Sequence, residues 1–282
     1  MEVFYLGNCD TCPSKVNCNT NVEACRIQNN PNNKIKNIIG VMSGKGGVGK
    51  STITTLIATQ LNAQGYKIGI LDADITGPSI PRLMRMGNVK AFSDGNNIIP
   101  ITTSTGIKVI SLNLILEDEN SPVIWRGPMI GGVVKQFYTD VLWEELDYLL
   151  IDMPPGTGDV ALTVMQSIPL TGVVMVSMPQ NLVSMIVSKA INMTQQLNVP
   201  VIGIVENMSY IECPSCSEKI KMFDDDDINN FLESNKVKLL GELPMSKEII
   251  KISTEGVGDI GPDLKEIIER ITNKVEDFCE NR

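Results

Sequence analysis

The chain has 282 residues, a net charge of −9, no histidine, 43% hydrophobic and 20% charged residues. This is the composition of a globular α/β chain long enough to bury one large core or two smaller ones. It excludes histidine acid/base catalysis, Ser-His-Asp chemistry and imidazole-held zinc, and the acidic balance argues against binding nucleic-acid backbone through bulk charge.

Residues 1–33 form a polar stretch that carries Cys9, Cys12, Cys18 and Cys25 and ends in the turn-rich "QNNPNNK". Four thiolates are enough for one complete iron–sulfur or zinc site. The stretch reads as an extension ahead of a domain spanning 34–282. The N-terminus lacks the basic start and apolar run of a signal peptide, and no segment approaches the roughly 18 apolar residues of a membrane helix. The expectation is a cytoplasmic protein, not bound to membrane, whose grouped thiols are metal ligands rather than disulfides.

From Ile35 onward short apolar runs recur: "IKNIIGVMS", "YKIGILDAD", "LDYLLID", "GVVMVSM", "VPVIGIVEN" and "VKLLGELP". Helical patterns lie between them at 50–64, 128–141, 157–167 and 180–197. Strands alternating with helices predict an α/β fold with a doubly wound, mainly parallel sheet buried on both faces. "NNIIPIT" and "GIKVISLNL" predict an extra hairpin or edge strands within 92–115. Four consecutive aspartates in "FDDDDINNFLESN" are expected to cap and charge a helix at 228–235 rather than hold calcium. In the last segment, Leu264, Ile267, Ile268, Ile271, Val275 and Phe278 make a helical stripe on an otherwise acidic helix, which suits packing on the domain and not an anionic membrane.

The first strand runs into "GVMSGKGGVGKST", which fits G-x-x-x-x-G-K-[ST] with Gly44, Gly49, Lys50 and Ser51. Gly44, Gly46, Gly47 and Gly49, with Val48 among them, let the backbone curl so that its N–H groups and the following helix N-terminus, at Ser51 and Thr52, surround phosphates. Lys50 is expected at the β/γ-phosphates and Ser51 on Mg²⁺. Asp72 and Asp74 end the second strand two residues apart, and so on one face. Asp152 ends the strand "LDYLLID" as the carboxylate that would hold Mg²⁺ through water, and the Pro-Pro-Gly-Thr-Gly turn after it suits a loop that senses a γ-phosphate.

The extra lysine at position 45 makes the loop K-G-G-V-G-K-S, which resembles the deviant Walker A loop of the P-loop NTPase class containing MinD, ParA, the arsenite-pump ATPase and the nitrogenase iron protein. That resemblance implies an ATPase in which Lys45 reaches the partner subunit's nucleotide, Asp74 positions the attacking water and Asp72 stands near Mg²⁺. It also places Asn207 at the adenine, whose edge an amide can both donate to and accept from. With no strong base in sight, hydrolysis is expected to be slow.

Four further stretches, "LDADITGPSIPRLM", "IDMPPGTGD", "ENMSYIECPSC" and "LGELPM", resemble the Mrp/ApbC group of iron–sulfur cluster carrier ATPases over about residues 35–251. The resemblance implies a homodimer that holds a labile [4Fe–4S] cluster at its interface and passes it to apo-proteins. Cys213 and Cys216, in a C-x2-C loop near 209–222, would then meet their two-fold copies and complete four thiolates. Zinc suits four thiolates as well. Cys9, Cys12 and Cys18 match the end of a four-cysteine motif found in some members, whose first cysteine is missing here; Cys25 is the alternative fourth ligand, for a cluster or zinc. Cys279 stands apart and reads as structural. Two rival readings remain: a metal-free MinD/ParA-type spatial regulator, and an electron-transfer ATPase like the nitrogenase iron protein.

Overall fold

In the computed structural model, residues 29–75, 77–115, 127–182, 185–221 and 225–282 are described, with the backbone alone at 127–128, 181–182 and 225–227. Cys9, Cys12, Cys18 and Cys25 lie outside the described residues.

The first strand, β1 (Lys34–Met42), starts half in solvent and is fully buried from Ile38 to Met42. Its burial on both faces explains its unbroken apolar run, the mark of a central parallel strand. The glycine loop follows, then α1 (Lys50–Ala63), β2 (Ile68–Asp72) and the single turn α2 (Ile80–Leu83). Four short strands come next: β3 (Phe92–Ser93), β4 (Ile98–Ile99), β5 (Ile101–Thr102) and β6 (Lys108–Ile110). The expected hairpin is present twice, as β3 against β4 and as β5 against β6, both antiparallel. After α3 (Gly127–Thr139) come β7 (Glu145–Asp152), α4 (Asp159–Ser167), β8 (Gly172–Ser177), α5 (Pro179–Leu182) and α6 (Met185–Gln196). The chain ends with β9 (Val201–Glu212), β10 (Lys219–Lys221), α7 (Asp225–Asn235), β11 (Leu239–Pro244), α8 (Lys247–Glu255) and α9 (Pro262–Glu280).

Among the described residues the main sheet has nine strands in the order β10-β9-β8-β1-β7-β2-β6-β5, with β11 also paired to β9. Pairing is parallel except at β10 and β5. Helices α3, α4, α6 and α7 bury one face of the sheet, and α1, α2, α8 and α9 bury the other. This is the doubly wound, mainly parallel architecture expected from the alternating runs.

Two local expectations change. The region expected to be helical over 180–197 is helical in α5 and α6, on either side of residues 183–184, which lie outside the described residues. Three of the four aspartates stand inside α7 and make its first turn, where carboxylates favour the positive end of the helix. The strand expected to stop at Asn207 continues to Glu212, because Tyr210 stays buried and Ile211 finds Ile220 across an antiparallel pair with β10. The C-terminal stripe packs as expected: Leu264, Ile268, Ile271 and Val275 of α9 are buried, with Ile267 and Phe278 against the same cluster. No described helix is long and apolar enough to cross a membrane.

Candidate functional site

The carboxyl ends of the central parallel strands meet at one rim of the sheet, the usual ligand crevice of an open α/β sheet. Register aligns Val41 of β1 and Asp72 of β2 with Asp152 of β7, which sets the glycine loop and both carboxylates side by side.

Lys50 opens α1 and is 6% exposed; its Nζ lies 2.8 Å from Asp152 Oδ1 and 3.7 Å from Asp74 Oδ2. Asp152 is fully buried and also accepts from Ser51 Oγ at 2.6 Å and Thr54 Oγ1 at 2.9 Å. Both oxygens are therefore satisfied, as a buried carboxylate requires. Thr54 is not among the residues that the sequence singles out. Its signal there is faint: a threonine one helical turn after Lys50, on the same face.

Asp72 is 1% exposed and accepts from Ser111 Oγ at 3.0 Å and from the backbone N–H of Asp74 at 3.2 Å. Burial, followed by the neighbouring Asp152 charge, pushes its carboxyl well above the ordinary range. Asp72 and Asp74 thus differ: Asp72 is held inside, whereas Asp74 lies at the rim beside Lys50.

Lys45 and the adjoining Gly46 and Gly47 are exposed, and Ser43 Oγ donates to the Lys45 carbonyl at 2.9 Å. The turn after Asp152 is tied to the same loop, since the Gly156 N–H donates to the Ser43 carbonyl at 2.8 Å. A change in the glycine loop is therefore felt directly by the turn. Exposed Ile186, in the first turn of α6, stands beside Gly44, and its neighbour Met185 is exposed too.

Asn207 is 0% exposed, and its Nδ2 donates to the Val48 carbonyl at 2.9 Å while its Oδ1 accepts from Met208 N–H at 3.1 Å. Gly49 has φ of 86°, and a Cβ there would sit 2.3 Å from Asn207 Nδ2. Only glycine meets both conditions. The structure therefore commits the Asn207 amide to holding the glycine loop.

Past Glu206, β9 loses its pairing with β8, stays against β11 as far as Tyr210 and then enters the hairpin with β10. Cys213 is half-buried and Cys216 exposed, in a turn closed by Cys213 N–H to the Glu218 carbonyl at 2.9 Å and Ser217 N–H to the Cys213 carbonyl at 2.8 Å. Backbone N–H groups of Ser215 and Cys216 point at the Cys213 sulfur and hold its thiol below the ordinary value. The pair sits in a turn joining two strands, unlike a thioredoxin-type dithiol that opens a helix. Among the described residues no group of three or more Cys, Asp or Glu converges as a metal site, so one chain presents two thiols here. Cys279, near the end of α9, packs against the core, and burial pushes its thiol up to about 11.

The family model of the NUBPL iron-transfer P-loop NTPase matches residues 34–277. An iron-sulfur cluster carrier protein of Clostridium perfringens is 47% identical over 89% of this chain and 93% of its own. Another of the same name from Methanocaldococcus jannaschii is 43% identical over 96% and 97%. Among solved structures, a nucleotide-binding protein of Archaeoglobus fulgidus in complex with ADP is 42% identical, with a TM-score of 0.70 over 86% of this chain and 92% of that one. The Pyrococcus furiosus cell division ATPase MinD, 18% identical at a TM-score of 0.59 over 86% and 99%, shares the fold. Glycine loop, rim carboxylates and extent of likeness converge: the chain belongs to the family of NUBPL-type iron-transfer P-loop NTPases.

Proposed function

We propose that the protein is an ATP-dependent iron–sulfur cluster carrier, a homodimer that binds a labile [4Fe–4S] cluster and hands it to apo-proteins. One observation carries this reading: β9 holds the glycine loop through Asn207 and, six residues on, presents Cys213 and Cys216 in an open turn. Two thiols per chain are half a cluster site, and a two-fold axis supplies the other half. An exposed turn shared between subunits gives up its cargo more readily than a cage within one chain. The names of the relatives support the same cargo.

Backbone N–H groups from Gly44 to Thr52 surround the phosphates, and Lys50 exchanges Asp152 for their charge. The all-oxygen set of Ser51 and Asp152 suits Mg²⁺: the Ser51 hydroxyl and the Asp152 carboxylate would hold the ion, which would neutralise phosphate charge. Asp74, at the rim beside Lys50, orients the attacking water. Lys45 is exposed and free to cross to the partner's nucleotide, and the exposed apolar pair Met185 and Ile186, of which Ile186 stands beside Gly44, suits burial at that interface. Asn207 fixes the glycine loop through Val48, and the adenine edge is the further partner proposed for its amide. The metal-free regulator is disfavoured by α9, whose apolar face is already buried on the domain. Residues 1–33 act as an extension whose four cysteines take a second cluster or zinc.

The test is anaerobic reconstitution with iron and sulfide, followed by transfer to an apo-protein in the presence and absence of ATP. The expected product is brown, carries iron and sulfide, and activates the acceptor. A colourless, iron-free product would revive the regulator.

A further inference from the structure

Glu206 is the residue before Asn207 on β9 and is 0% exposed, yet neither of its carboxylate oxygens has a hydrogen-bond partner. A buried carboxylate left without donors is rare and costly. Parallel register sets it directly beside Glu242 of β11. Glu242 is already engaged: its Oε1 accepts from Ser209 Oγ at 2.9 Å and Lys221 Nζ at 2.8 Å. Lys221 belongs to β10, the return strand of the cysteine hairpin.

The strand breaks its regularity at this point. Register between β9 and β11 shifts between the Glu206–Glu242 and Tyr210–Pro244 pairs, and Met208 takes a left-handed φ of 56°. Such an irregularity bends a strand and re-aims the residues beyond it. The hairpin is fastened to the body by Met245 N–H to the Tyr210 carbonyl at 2.7 Å and by the Lys221–Glu242 pair. Glu206 thus sits at the root of the cysteine hairpin, beside the acid that anchors it.

We propose that Glu206 and Glu242 form a proton lock at the root of the hairpin that carries Cys213 and Cys216. With Glu206 protonated, two acids share the site without repulsion and Glu242 keeps Lys221 in place. With Glu206 ionised, a buried charge stands beside the half-buried Glu242 carboxylate, and the hairpin detaches at the Met208 bend. The charged groups that act on Glu206 are Glu242 of β11 and Lys221 of β10, with the Ser209 hydroxyl from its own strand. β8 contributes Ser177 opposite it, and α5 has no titratable residue. Lys189 of α6 and Glu233 of α7 are exposed, and the side chains of Asp225, Asp226 and Asp227 at the start of α7 are outside the described residues.

Burial, then the Glu242 charge, pushes the Glu206 carboxyl from 4.5 up to about 7 in the closed form. The closed form therefore binds its proton more tightly than the open one. Closure is fully favoured below 4.5, weakens as pH rises towards about 7, and levels off above it. The consequence for cargo rests on the reading of Cys213 and Cys216 as cluster ligands; the lock itself does not.

The experiment is hydrogen exchange of the metal-free full chain between pH 5 and 8.5, read on peptides covering 208–221 and corrected for intrinsic exchange. In the wild type, hairpin opening is expected to grow by up to about tenfold per pH unit towards pH 7 and then level off. Glu206→Gln is expected to give a flat profile, closed throughout; Glu206→Met serves the same comparison if the glutamine variant does not fold. A flat wild-type profile, or an unchanged slope in a folded variant, overturns the proposal. Neither result bears on whether the cysteines bind iron, which is measured separately.

Discussion

The Asn207 side-chain amide donates to the Val48 carbonyl at 2.9 Å, joining residues 159 positions apart. Through this bond one strand touches both halves of the proposed machine, the phosphate loop at one end and the cysteine turn at the other. Nucleotide that moves Val48 acts on β9 without any intermediate element.

Removing the amide leaves the buried Val48 carbonyl and Met208 N–H without their partner. Asn207→Ala is expected to cost about 1–3 kcal/mol of stability and to weaken nucleotide binding. Gly49→Ala is expected to be worse in binding, because its Cβ would lie 2.3 Å from Asn207 Nδ2 on a backbone with φ of 86°. Thermal melts with and without ADP check both. A Gly49→Ala protein that binds ADP like the wild type would refute the close approach.

Lys50 and Lys45 should separate in their effects. Lys50→Ala is expected to lose nucleotide affinity and about a hundredfold or more in hydrolysis, since the proposed mechanism sets this lysine on the phosphates of its own chain. Lys45→Ala is expected to keep affinity and lose hydrolysis by about a thousandfold, as for a cation supplied in trans. Phosphate release and nucleotide Kd distinguish the two. Wild-type hydrolysis in Lys45→Ala would remove the lysine from the mechanism.

Cys279 is held by burial at about 11, against an ordinary 9.0. Its thiolate fraction near pH 8 is then about a hundredfold below that of an unperturbed thiol. Alkylation mapped by peptide mass should mark the exposed Cys216 early and Cys279 late. Equal rates would contradict its packing from α9 against the core.

Much of this was legible in the chain. Strand, glycine loop and helix form one contiguous signal, and Asp72, Asp74 and Asp152 each close an apolar run, so the rim of the sheet could be read without coordinates. The residues that escaped depend on distant pairing. Thr54 matters only because β7 delivers Asp152 to it from 98 positions away. Ser111 matters because β6 lies beside β2. Glu206 has no local signal at all: a glutamate at the end of an apolar strand suggests solvent, and only the neighbouring strands and helices bury it. The base-contacting role given to Asn207 by resemblance has a structural counterpart that sequence did not suggest, its hold on Val48.

The most direct measurement is iron and labile sulfide per chain after anaerobic reconstitution of wild type, Cys213→Ala and Cys216→Ala. A cluster bridging two subunits predicts that each variant loses the same amount, about two iron atoms per chain, while the N-terminal cysteines remain intact in all three. Both variants retaining the full wild-type complement would contradict the account and leave the metal to the N-terminal cysteines alone.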